Sequence, residues 1–233
     1  MSISLDEAVE LTRTGDLWVF RGRSMPDRAI QLTTNSPVNH VGMAVVLDDM
    51  PPLMWHAELG RSLPDMWTGT HQRGVQLHDL RNAVCVWANR YGQRGWLRQL
   101  EPPADAAMEE AVLRTVARLD GTPFPSTTQL AWRWARGRLP HVRRRAAARP
   151  DGDASTALPG DGRTEDHGAS ARDRALETAY CAEVVAVTYE AMGLLPAGRR
   201  PNWYDPGRFW SGDDLALSGG TLGAEIEVYV PPR

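Results

Sequence analysis

Residues Asn39-His40-Val41-Gly42-Met43-Ala44-Val45-Val46-Leu47 decide how the rest of the chain is read. Val41 to Leu47 is rich in valine and lies between Pro37-Val38-Asn39 and Asp48-Asp49, the pattern of a buried strand bounded by turn residues. Moving outward, Leu53 to Leu59 is a second strand, entered from Pro51-Pro52, and the short offset makes a hairpin the simplest pairing. Upstream, Leu17-Trp18-Val19-Phe20 follows Gly15 as another short apolar run. Downstream, Val75 to Leu80 alternates apolar and polar residues, and Ala83 to Asn89 reads as a further strand. Together these segments predict an antiparallel meander.

Helical periods flank the meander. Ser4 to Leu11 reads as a short helix with Ser4 and Glu7 in a capping box. Ser24 to Thr34 is a weaker helical pattern. Ala107, Met108, Ala111, Val112, Thr115, Val116 and Leu119 fall at helical spacing, with Gly121 as a stop. Thr178 to Met192 is a strong helix, striped by Val184, Val185, Thr188, Tyr189 and Met192 and ended by Gly193. Glu225 to Val230 is a last strand. The expected class is α+β, one domain over residues 1–233. Gly137 to Arg174 is dominated by Arg, Ala, Gly, Asp and Pro; such a composition buries too little apolar surface to offset ordering entropy, so it is expected to be a flexible insertion.

Composition removes whole classes of chemistry. All 26 basic residues of the 233 are arginine, which excludes Schiff-base and P-loop lysine chemistry. A net charge of −3 gives no whole-chain nucleic-acid footprint. Two cysteines, Cys85 and Cys181, are too few for a disulfide framework or a cysteine-based zinc finger. No apolar run spans a bilayer, and the N-terminus lacks the basic and apolar regions of a secretory signal, so the expected location is the cytoplasm.

Four residues attract a chemical reading. Cys181, in Ala179-Tyr180-Cys181-Ala182-Glu183-Val184, is expected at a helix start, where unpaired N–H groups favour thiolate; the alternative is a small apolar core residue. His40 is expected at the mouth of the Val41 strand, where a base is rigidly held, and Gly42 on the same face leaves room for another backbone. His56 and Glu58, two apart on a strand, share one face, and either can orient the imidazole of His40. The spacing of His40, His56, His71 and His78 matches no compact helical metal motif, so no metal is expected. Cys85 is expected in the core. Arginines 133, 136, 138, 143, 144, 145 and 149 give residues 121–150 a local charge of +7, interleaved with Trp132 and Trp134. That pattern suits an anionic surface, while the acidic stretch after it offers plain charge balance.

These pieces, taken in order, resemble the circularly permuted papain-fold hydrolases of the YiiX-like group, relatives of the NlpC-type cysteine peptidases. Gly15-Asp16-Leu17 looks like the opening strand of that group and Asn39-His40-Val41-Gly42-Met43 like its Ser-His-Val-Gly signature. Trp55-His56-Ala57 stands where the family has an apolar-Glu-Ala stretch. Gly121-Thr122-Pro123-Phe124 resembles its Gly-x-Pro-Tyr turn and Tyr180-Cys181-Ala182-Glu183 its Tyr-Cys-Ser-Glu helix start. The resemblance implies a papain-like sheet or half-barrel packed on the helix of Cys181. It also implies cofactor-free hydrolysis or acyl transfer on an amide or ester, with Cys181 as nucleophile and His40 as base. His56 or Glu58 would complete the triad, and the backbone N–H of Cys181 with the Tyr180 hydroxyl would hold the oxyanion. Asn39, Ala182 and His56 depart from the family pattern, so an inactive binding module is a second expectation. The expected substrate is a small acyl, peptide or lipid-linked molecule. A peripheral contact with anionic membrane through residues 130–145 is expected over one with nucleic acid, and an adaptor working through that Trp/Arg segment is the third possibility.

Overall fold

The valine-rich run folds as expected, into strand β3 (His40–Val45), hairpinned to β4 (Leu53–Glu58) with Met43 opposite Trp55. The structure, a computed structural model, describes residues 2–22, 36–58, 62–123, 171–197, 199, 201–211 and 215–232. Among them β1 (Ser2–Ser4), β2 (Leu17–Arg21), β5 (Gly74–Asp79), β6 (Arg94–Arg98) and β9 (Ile226–Tyr229) join the hairpin in one seven-stranded sheet, ordered β1-β9-β6-β2-β3-β4-β5. Only the β1–β9 pair is parallel. β7 (Leu100–Glu101) and β8 (Thr221–Leu222) form a small second ladder. Four α-helices are described: α1 (Leu5–Leu11), α2 (Leu80–Tyr91), α3 (Ala106–Leu119) and α4 (Ala171–Ala191). The class is a mixed α+β fold.

Strand alternation divides the core in two. Leu17, Val19, Val41, Met43, Val45, Leu53, Trp55, Ala57, Val75 and Leu77 pack with α3 and α4 on one face. Trp55 Nε1 donates to Thr188 Oγ1 at 3.0 Å, and the Tyr189 hydroxyl donates to Gly15 O at 2.6 Å, fixing α4 across this face. Trp18, Phe20, Ala44, Met54 and Leu97 point to the opposite face, against Leu80, Ala83, Val84, Cys85 and Trp87 of α2. Fully burying each large apolar side chain contributes roughly 1.5–3 kcal/mol, so both layers hold the sheet.

Three expectations change here. Ala83 to Asn89 is helical. Its continuous apolar run suits either period, but Leu80, Ala83, Val84 and Trp87 sit at i, i+3, i+4 and i+7. Asp79 caps the start by accepting from Asn82 N at 2.8 Å, and Gly92, at φ 63°, closes the end. The helix of Cys181 starts at Ala171 instead of Thr178, so residues 171–174 belong to it and not to an insertion. Space beside Gly42 is taken by side chains, not by another backbone: a Cβ there would collide with Met54 Sδ. The remainder of the expected insertion, the Ser24–Thr34 helix and the Trp/Arg stretch of residues 130–145 lie outside the described residues. Ser4 caps α1 by accepting from Glu7 N at 3.2 Å, one half of the expected capping box. No helix of the described residues is long and apolar enough to cross a membrane.

A buried imidazole and carboxylate cluster as candidate functional site

On the face turned toward α2, the sheet sets histidines on three neighbouring strands. His56 lies opposite Gln76 and Met54 opposite His78, so His56 and His78 are diagonal neighbours across β4 and β5. Their ring nitrogens meet at 3.1 Å, His56 Nε2 to His78 Nδ1. On the other side His56 Nδ1 meets His40 Nε2 of β3 at 3.2 Å. Glu58, two residues from His56 on the same face, brings Oε2 to 3.7 Å from His78 Nδ1. Trp87 of α2 closes the row. Its ring meets those of Phe20, His40 and His56 edge-on, with centroids 4.7, 4.8 and 4.9 Å away, and its Nε1 lies 3.4 Å from Glu58 Oε1. Donor atoms of His56, Glu58 and His78 all fall within 4.8 Å of one another.

Burial sets the protonation states. His56 is fully buried, His78 is 1% exposed and Glu58 5%. Loss of water pushes the His40 imidazole down to about 3 and holds that of His56 well below its ordinary value, each reinforced by neighbouring imidazoles; burial also lowers His78 to about 4, against the opposing charge of Asp65. All three are neutral at pH 7, the form that ligates metals. Burial pushes Glu58 up to about 7, with the Trp87 indole N–H offsetting part of the rise. With His78 neutral, its contact with Glu58 is not an ion pair. Among the described residues Glu58 Oε2, His78 Nε2 and both amide atoms of Gln76 have no hydrogen-bond partner. A buried polar atom without a hydrogen-bond partner costs about 1–3 kcal/mol.

The structure brings His40, His56 and Glu58 together, and adds His78, Gln76 and Trp87. Cys181 and Tyr180 belong to a different cluster of side chains. Both lie in the apolar cluster with Val41, Trp55 and Ala57, on the α4 side of the sheet, while the His40 ring packs on Phe20 and Trp87 on the α2 side. Cys181 is fully buried and sits about three turns inside α4, where a helix has no spare N–H groups or terminal charge. The helix-start argument for a thiolate and for an oxyanion hole at Cys181 and Tyr180 therefore does not apply to this helix. Cys85 is buried in the core against the α2 face, as expected, though on a helix. Gln76 and Trp87 carried no sequence signal beyond burial. His78 was visible, but its spacing argued against a role.

No family model matches the chain, and no curated protein does. Among solved structures it is similar to the crystal structure of metalloprotein yiiX from Escherichia coli O157:H7, DUF1105, at 16% identity and a TM-score of 0.43, over 95% of this chain and 99% of that one.

Proposed function

We propose that this protein binds a divalent transition metal of the zinc class through His56, Glu58 and His78. One observation carries the reading: two neutral imidazoles and a carboxylate, all buried, hold their donor atoms within 4.8 Å of one another, with Glu58 Oε2 unpartnered. Zn–N and Zn–O bonds of about 2.0–2.2 Å place donors of one ion some 3–3.5 Å apart, a small contraction of the present cluster. His40 would hold the outer nitrogen of His56, fixing the tautomer and the ring. Gln76, paired with His56 across β4 and β5, adds two amide atoms without hydrogen-bond partners beside the cluster. Nitrogen and oxygen donors without thiolate fit Zn2+ and its neighbours in the first transition row, and do not fit Ca2+ or Cu+.

Three protein ligands leave a fourth position for water, whose pKa such an ion lowers toward neutrality. If His56, Glu58 and His78 hold such an ion, it would supply an activated water for the amide- or ester-hydrolase class that the motif resemblance implies, in place of the Cys181 thiol. The test has two parts. Zinc titration of chelator-treated protein against a chromophoric competitor should give one tight equivalent, weakened by at least about 10-fold in His78→Ala and Glu58→Gln. Ester hydrolysis should require that metal and survive Cys181→Ala. Binding that ignores His78 and Glu58 contradicts the centre; turnover abolished by Cys181→Ala returns the nucleophile to the thiol.

A further inference from the structure

The opposite face of the sheet holds an arginine whose charge has no described counterpart. Arg21 ends β2 directly across from Arg94 of β6. Like charges in that relation repel. The carboxylates nearby are already engaged. Glu227 accepts from Arg94 Nε at 3.0 Å and from its Nη2. Glu225 lies 3.6 Å from Arg98 Nε and accepts from Ser211 N and Oγ, each at 2.6 Å. Among the described residues no carboxylate pairs with Arg21.

Its guanidinium is nevertheless held in place. The central carbon lies 5.3 Å from the Trp96 ring centroid and 5.4 Å from that of Trp210, and the two indoles meet at 89°. Nε donates to Pro37 O. Arg94 stacks on the same Trp96, its guanidinium carbon 5.0 Å from the ring centroid. Burial and the Arg94 charge both press the Arg21 guanidinium toward losing its proton. A fork fixed between two rings, with its Nη donors left over, has already lost the freedom that binding an anion would cost.

We propose that Arg21, with Arg94 beside it, binds a small oxyanion, a carboxylate or a phosphate, at the end of β2 and β6. The planar fork matches two oxygens of either group, and Trp96 and Trp210 wall the site. The site is independent of the metal centre, which lies across the sheet. The test is calorimetric titration of the full chain with inorganic phosphate and, separately, succinate, with ionic strength held by chloride. Saturable binding of at least one is expected; which one binds assigns the oxyanion. Arg21→Gln should weaken it by at least about 10-fold. Arg208→Gln, which removes an arginine stacked 4.2 Å from the Trp203 ring centroid, should leave it unchanged. Should Arg21→Gln not fold, as judged by circular dichroism, Arg94→Gln carries the test, because it leaves Glu227 uncompensated beside the site and should also weaken binding. Absence of saturable binding in the wild type, equal binding by the folded Arg21 or Arg94 variant, or equal loss in Arg208→Gln overturns the proposal.

Discussion

Asp16 shows what burial does to a single side chain here. It is fully buried, accepts from Leu100 N and Arg13 N at 2.8 Å each, and lies 3.7 Å from Arg13 Nε. Burial nevertheless wins over these contacts and pushes its carboxyl up to about 6. The folded state therefore binds more protons than the unfolded chain between about pH 4 and pH 6, and this residue's contribution to stability falls as pH rises through that window. The full swing is about 3 kcal/mol, about 2 pH units at 1.4 kcal/mol each. Asp16→Asn removes the titration at the constant cost of one accepted hydrogen bond. The melting temperature of wild type should exceed that of Asp16→Asn by more at about pH 4.5 than at about pH 7.5; a gap that does not move with pH contradicts the assignment. The thiols carry a companion prediction. Cys181 is fully buried and Cys85 nearly so, so an aromatic disulfide reagent should modify neither in the native protein and both after denaturation. Rapid native labelling at Cys181 would show an accessible thiolate.

At the scale of elements, α2 decides whether the histidine row exists as a site. It supplies Trp87, which closes over His40 and His56, and its start is fixed by the Asp79 side chain. Asp79→Ala should cost about 1 kcal/mol in denaturant unfolding. Gly42→Ala should cost more, about 1–3 kcal/mol, because its methyl meets Met54 Sδ and lies beside His56 Cβ. If Gly42→Ala is neutral, Met54 is free to move and the packing beside His56 is looser than described. The same two positions show why part of the fold was legible and part was not. β3 and β4 were readable because valine-rich runs between turn residues permit little else. Ala83-Val84-Cys85-Val86-Trp87 fits both periods, and the cap pair Asp79 and Gly92, present in the sequence, was the signal that distinguishes them. β6 was missed because Arg94, Gly95 and Arg98 dilute its pattern; it is made a strand by pairing with β2 on one side and β9 on the other.

For the molecule as a whole, the sheet acts as a partition, with an imidazole and carboxylate cluster on one side and Cys181 on the other. The alternation that puts His56 and Glu58 on one face was readable from their spacing of two. Convergence of His40, His56 and His78 was not, since diagonal neighbours on separate strands have no fixed sequence separation. The position of Cys181 depended on where its helix begins, and the Arg- and Asp-rich residues before Thr178 hid the earlier turns. The proposal above assigns metal binding to the cluster, with Cys181 outside it. Visible absorption of the Co2+-substituted protein tests it most directly. The account predicts ligand-field bands of a centre with nitrogen and oxygen donors, no intense thiolate-to-cobalt charge-transfer band, loss of the spectrum in His56→Ala and His78→Ala, and no change in Cys181→Ser. A thiolate charge-transfer band that disappears in Cys181→Ser, or a spectrum indifferent to both histidines, would contradict it.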